Sequence, residues 1–372
     1  MKHYLVIGAG ILGASTAYHL ARSGQNVTII DREDAGQATD AAAGIICPWL
    51  SQRRNKAWYA LAKGGAAHYQ TLIEELKEDG ETDTGYKRVG AISLHSDEGK
   101  LLQMEERALQ RREDAAEIGK IKQLSQDETV RLFPALTHDY RSVFISGAAR
   151  VDGRALRNAL INGAVKHGAT LVKGSAELKQ DVHSTLSVKV GEQQFEADGV
   201  IVTAGAWADQ LLAPLGIRLL LSAQKAQIVH LQQEQDETDS WPVVMPPNDQ
   251  YILAFDKGRV VVGATHENDK AFDQRVTAGG LNEVFDKALS IAPGLSESTF
   301  VEARVGFRPF TPGFLPVIGQ VPGYENLFLA NGLGASGLTA GPFLGAQLAK
   351  LAAGEEVDID LDLYDVAKAI ES

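Results

Sequence analysis

The chain has 372 residues, 44% hydrophobic and 23% charged, which are the proportions of a globular protein of about two to three domains with ample core. Its 36 Lys and Arg against 48 Asp and Glu leave a formal net charge of −12, so no overall field draws it to nucleic acid or anionic lipid. A single cysteine, Cys47, excludes an intramolecular disulfide and a cysteine-rich metal cluster. No apolar run reaches the roughly 18–20 residues of a membrane helix, and a cytoplasmic protein with no metal and no transmembrane segment is expected.

In chain order, residues 4–7 (YLVI) read as a buried strand that runs into Gly8-Ala9-Gly10-Ile11-Leu12-Gly13. A helix is expected over 14–23, closed by Gly24, and then a strand over 27–30 (VTII) that ends at Asp31. Gly8 allows the tight turn, Gly10 lets a pyrophosphate sit against the backbone, and Gly13 lets the helix pack close to the strand. The helix N-terminus offers N–H groups to the phosphates. Asp31, 23 residues after Gly8, can accept ribose hydroxyls. Strand before, helix after and acid at this distance predict a dinucleotide site.

Residues 37–48 (QATDAAAGIICP) read as a loop laid along the cofactor, followed by a helix over 52–80 and strand-like alternation over 85–95. A charged helix is expected over 97–120, with its basic stretch 107–113 (RALQRRE) solvated. Ser125 and Glu128 form a capping box for a helix over 125–133, which Pro134 ends. The α/β style returns with a helix over 154–167 and strands at 169–173, 175–179, 185–190, 194–196 and 200–203. Strands follow at 225–231, 251–254 and 259–263, then a helix over 278–291 and strands at 300–308 and 326–330. The glycine-rich turn 331–337 opens a last helix that Gly354 closes. There is no internal repeat.

Four blocks, 6–33, 38–45 (ATDAAAGI), 200–216 and 251–265 continuing through GFRP (306–309) to 342, resemble the D-amino-acid oxidase superfamily of FAD-dependent oxidoreductases, and within it the glycine oxidase and sarcosine oxidase group. The resemblance implies an α/β (α+β) fold: a Rossmann-like FAD-binding domain (1–84, 141–216 and 309–372) interleaved with a substrate domain on a mostly antiparallel sheet (85–140 and 217–308). Gly8, Gly10, Ile11, Leu12, Gly13, Asp31 and Arg32 would hold the ADP half of FAD. Thr39, Ala42, Ala43 and Gly44 would run along the ribityl chain and ring, and Glu177 would lie near the adenine. Ala204, Gly205 and Trp207 would close the pyrophosphate side. Gly332, Gly334, Ala335, Ser336, Gly337, Leu338 and Thr339 would bring a helix N-terminus to the flavin pyrimidine end, where partial positive charge stabilises the anion formed on reduction.

Some relatives attach FAD through a cysteine in the segment matching 309–319. This chain has none there, so noncovalent FAD is implied, with Cys47 as a small buried hydrophobe. Arg308 would bind a substrate carboxylate through its two-pronged guanidinium, with Tyr251 beside it. Ala335 stands where some glycine oxidases carry a second arginine, which puts recognition by a second charge, and glycine itself as substrate, in question. His266, after the GAT turn, is a candidate for the cleft but reads rather as a surface or packing residue. The implied reaction is oxidation of a small amino acid or secondary amine (glycine, sarcosine or a D-amino acid) by hydride transfer from Cα to flavin N5, with an imine that then hydrolyses. Dioxygen or a redox partner would be the acceptor. Alternatives on the same scaffold are a 2-hydroxy-acid or glycerol-3-phosphate dehydrogenase, a tRNA-modifying amine oxidase, and an inert flavin module. The oligomeric state is left open, a homo-oligomer included.

Overall fold

The first turn of the chain sets the register of everything around it. In the computed structural model, which describes residues 1–180, 186–234 and 237–371, strand His3–Ile7 pairs in parallel with Asn26–Asp31 on one side and Gly199–Val202 on the other. The sheet has six strands in the order 317–320, 327–331, 199–202, 3–7, 26–31, 170–173. All neighbours are parallel except Val317–Gln320, which runs antiparallel to Leu327–Asn331. Its central strands are continuous apolar runs because both faces are covered. Tyr4 and Val6 pack with helices Ile11–Arg22, Lys56–Glu78, Gly153–Lys166 and Gly337–Ala353. Leu5 and Ile7 point the other way, toward a three-stranded meander of Ala176–Gln180, Leu186–Val190 and Gln193–Phe195. Residue 185, expected to begin one of these strands, lies outside the described residues.

The first helix begins at Ile11, three residues earlier than the apolar spacing suggests. Gly13 lies inside it and docks on the turn: a Cβ there would come 1.8 Å from the Gly8 carbonyl oxygen. Other helix ends follow from side-chain caps. Asn55 accepts from Trp58 N at 3.0 Å, Asp97 from Lys100 N at 2.9 Å, and Ser125 and Glu128 form the reciprocal capping box.

The second sheet is eight-stranded, in the order 299–310, 222–232, 259–263, 251–254, 243–245, 91–95, 141–145, 121–124. It is antiparallel except where Val243–Met245 meets Ala91–His95. Helix Ala278–Ile291 covers one face, packing Val284 and Ala288 with Val229, Val260 and Val262. Strands Arg141–Ile145 and Thr299–Phe310 carry the sheet a few residues past positions 140 and 308.

Several elements differ from expectation. The strand expected from 85 starts at Ala91, because Gly85 and Gly90 take positive φ and shape a loop. The charged helix ends at Arg112, and strand Ile121–Leu124 follows. Strands 141–145, 243–245 and 317–320 were not foreseen. Strand Thr299–Phe310 runs through Pro309, which costs no ladder bond because this is an edge strand. Arg111 is not solvated as expected. It turns inward, donates to Trp49 O and Ser51 O at 2.7 and 2.9 Å, and lies over the Tyr59 ring. Among the described residues, no helix is long and apolar enough to cross a membrane, and no group of three His, Cys, Asp or Glu side chains could hold a metal ion.

Candidate active site

A cavity of about 590 Å³ lies between the two sheets. It is long because the C-terminal ends of the parallel strands open directly onto the face of the second sheet, the usual ligand position in such folds. The first sheet and its turn contribute Gly8, Gly10, Ile11 and Leu12, with Asp31 and Arg32 from the end of the second strand, and the three-stranded meander adds Glu177. Gly8 is held at φ +100°, and a Cβ on it would meet Thr203 O at 2.6 Å. At Gly10 the only neighbour a Cβ would find is Thr39 Oγ1, at 3.5 Å, so its backbone is open to the cavity. These are the features that a pyrophosphate against a helix N-terminus requires.

Asp31 is more engaged than its spacing foretells. Its carboxylate accepts from Ala9 N at 2.6 Å, Glu33 N at 2.5 Å and Gln37 Nε2 at 3.1 Å. A carboxylate has about four lone-pair positions, so roughly one remains for a ribose hydroxyl. Arg32 pairs with Asp34.

The loop expected along the cofactor does line the cavity, through Thr39, Ala42, Ala43 and Gly44. Thr39 Oγ1 accepts from Ile11 N at 3.0 Å, which ties the loop to the first helix. Ala204, Gly205 and Trp207 line the cavity, as do Gly332, Gly334, Ala335, Gly337, Leu338 and Thr339. The two turns are linked: Asn331 Nδ2 donates to Gly205 O at 2.9 Å, and Asn331 Oδ1 accepts from Gly332 N at 2.7 Å. Thr339 Oγ1 donates to Ile45 O at 2.8 Å and so fastens the last helix to the same loop.

Two sequence-picked residues stay out of the cavity wall. Gly13 sits beneath it as a packing residue. Ser336 turns away and accepts from Trp58 Nε1 at 2.9 Å. Cys47 is buried and does not line the cavity, and burial pushes its thiol up to about 12, so it is a small hydrophobe at neutral pH.

On the second sheet, Tyr251 and Arg308 face the cavity together. Arg308 Nη1 donates to Gln224 Oε1 of the paired strand at 3.2 Å, which leaves most of its donors free. Burial raises the Tyr251 phenol above its ordinary range, and the Arg308 guanidinium beside it pulls the other way without cancelling the effect. The hydroxyl is therefore a proton-bearing donor at neutral pH.

Asp249 and His266 line this same side. His266 is thus part of the cavity wall as well as exposed. Asp249 stands in the bend that leads into strand Tyr251–Ala254, and no local pattern marks it. Thr203 and Asn331 were not singled out, although each stands within two residues of a glycine that was, and Gln37 opens the loop expected along the cofactor.

A family model described as FAD dependent oxidoreductase matches residues 3–351. The oxidoreductase YurR of Bacillus subtilis is 63% identical over 371 residues, covering 100% of both chains. Glycine oxidase of Pseudomonas aeruginosa is 29% identical over 96% of this chain and 97% of its own. Among solved structures, iminodiacetate oxidase from a Chelativorans species superposes with a TM-score of 0.94 at 48% identity, covering 97% of this chain and 98% of that one. Glycine oxidase from Geobacillus kaustophilus gives a TM-score of 0.86 at 26% identity, over 98% and 99%. The Rossmann-like fold and the FAD chemistry foreseen from the sequence stand, and the chain belongs to the FAD dependent oxidoreductase family.

Proposed function

We propose that this enzyme oxidises a glycine-type substrate, an amine bearing an N–CH2–carboxylate unit, at noncovalently held FAD. The observation that carries this reading is the pair Arg308 and Tyr251 on the sheet face opposite the glycine-rich turns. A guanidinium with most of its donors free, on the wall of a cavity, is matched to a carboxylate. The relatives named glycine oxidase and iminodiacetate oxidase act on molecules that share this unit, which supports the choice.

Gly8, Gly10, Ile11 and Leu12 would hold the pyrophosphate, and Asp31 a ribose hydroxyl. The loop from Thr39 to Gly44 and the turn from Gly332 to Thr339 would hold the flavin. Bound FAD supplies the electron sink that accepts a hydride from the substrate carbon. Arg308 fixes the carboxylate and Tyr251 donates to it, so the adjacent CH2 is held in one orientation; such positioning is a large part of catalysis in reactions of this type. The imine formed is hydrolysed by water to glyoxylate and an amine. Dioxygen or a redox partner takes the electrons. We further infer a cytoplasmic location and a division into a cofactor unit built on the six-stranded sheet and a substrate unit built on the eight-stranded one.

The test is anaerobic mixing of the holoenzyme with glycine, sarcosine, iminodiacetate, D-alanine, D-proline and a 2-hydroxy acid, following the visible flavin absorption. Bleaching by an N–CH2–carboxylate compound is expected. Bleaching by the hydroxy acid alone would replace this reading with an alcohol oxidation.

A further inference from the structure

The cavity is open to solvent past Arg308, and its rim is charged. Asp249 and His266 line it with side chains 49% and 40% exposed. Asp249 Oδ2 lies 3.6 Å from His266 Nδ1, and its two oxygens accept from Lys287 Nζ at 2.9 and 3.1 Å. Lys287, on the covering helix, also donates to Glu283 at 2.8 Å. Beside them, Gln224 links Arg308 to Asn268 by hydrogen bonds of 3.2 and 2.9 Å. Partial burial pushes the Asp249 carboxyl up, but the hydrogen bonds from Lys287 and Gln250 outweigh it and hold the group below its ordinary range. Burial and the Arg308 charge lower His266, so its ring is neutral at pH 7.

The charges on this rim can be counted. Arg308 and Lys287 balance Asp249 and Glu283 while the site is empty of substrate. Once a substrate carboxylate neutralises Arg308, two carboxylates remain against one ammonium. Asp249 and His266 line the cavity beside Arg308, so a second arm that leads from the substrate nitrogen toward solvent on this side passes them. That arm then meets an excess negative charge beside a neutral imidazole whose Nε2 has no protein partner among the described residues.

We propose that Asp249 is a specificity-determining residue that selects N-substituted glycines whose second arm ends in a cation. This rests on the N–CH2–carboxylate reading of the reaction. Arg308 takes the carboxylate that all such substrates share, and Asp249 distinguishes among what hangs from the nitrogen. Specificity of this kind is a difference between two affinities, set as much by what is repelled as by what is bound.

The experiment uses three glycines with arms of equal length: N-(2-aminoethyl)glycine, N-(2-hydroxyethyl)glycine and N-(2-carboxyethyl)glycine. The limiting reduction rate over the apparent Kd is measured anaerobically for the holoenzyme, with sarcosine as the armless reference. The cationic arm is expected to exceed the anionic arm by about tenfold, the scale of one part-exposed charge contact. That ratio should shrink as ionic strength rises. Asp249→Asn should bring it to near unity, and Lys287→Gln, which unmasks Asp249, should raise it. Flavin content and melting temperature of each variant exclude misfolding, and the two variants predict opposite shifts.

A ratio near or below one in the unaltered enzyme overturns the proposal. So does a ratio unmoved by Asp249→Asn, or reduction by sarcosine with none of the three armed compounds; in each of these cases the reaction reading survives. Reduction by no glycine derivative at all, sarcosine included, would overturn both.

Discussion

Arg308 is the residue whose removal should matter most to binding. Its guanidinium faces the cavity, bonded to Gln224 and beside the Tyr251 hydroxyl, with most of its donors left for a substrate carboxylate. Truncating one partner of a charge-assisted pair costs about 2–5 kcal/mol. Arg308→Ala should therefore lower the reduction rate over Kd for sarcosine or glycine by roughly 30-fold to 1,000-fold or more, with flavin content near that of the parent. A change below about threefold would mean that the carboxylate goes elsewhere. Arg308 was legible in the sequence because GFRP is a local pattern. Asp249 was not, and the pairing of Asp249 with His266 was not, because 17 residues separate them along the chain and only the turn after strand Arg259–Gly263 brings them together. Lys225 was equally hidden. It is fully buried on a strand, with its ammonium on Arg275 O at 2.8 Å and Asp273 at 3.2 Å, and nothing local marks a lysine that a distant loop will satisfy.

At the scale of elements, the first turn separates two jobs that look alike in sequence. A Cβ on Gly13 would sit 1.8 Å from the Gly8 carbonyl, backbone against backbone, with no flexible partner to yield. Gly13→Ala should destabilise the apoprotein by about 1–3 kcal/mol or more, lowering its melting temperature. A Cβ on Gly10 would meet only a hydroxyl at 3.5 Å. Gly10→Ala should leave apoprotein melting within about 2 °C of the parent and weaken FAD by tenfold or more. Equal losses of stability in the two variants would refute this division. Helices with side-chain caps were read well, because the cap is local chemistry, as at Ser125 and Thr277. The strands at 121–124, 141–145, 243–245 and 317–320 were not. Each is five residues or fewer, and its identity comes from a partner far away in sequence.

For the whole molecule, acidity should be felt through buried histidines before it is felt through carboxylates. Burial holds His68 and His230 neutral down to about 4, against 6.5 for an exposed imidazole. The unfolded chain therefore takes up protons first as pH falls below about 6.5, and stability drops toward pH 4 by up to about 3 kcal/mol per histidine. The apoprotein melting temperature should fall steadily between pH 6.5 and pH 4.5, and His68→Leu should flatten part of that slope. A flat profile in the unaltered protein would contradict it.

The order of strands in the first sheet bears on how the chain is made. Strand Gly199–Val202 lies between His3–Ile7 and Leu327–Asn331. When the ribosome has released the first half of the chain, this strand has one neighbour and a bare edge on the other side. The missing neighbour emerges only after the whole of Thr299–Phe310, the last strand of the other sheet. A nascent chain thus carries an unpaired apolar edge for more than a hundred residues of synthesis, the kind of exposure that invites pairing with the wrong partner. Completion of the cavity wall and sealing of that edge are one late event, because strand Leu327–Asn331 leads directly into the turn at Asn331 and Gly332.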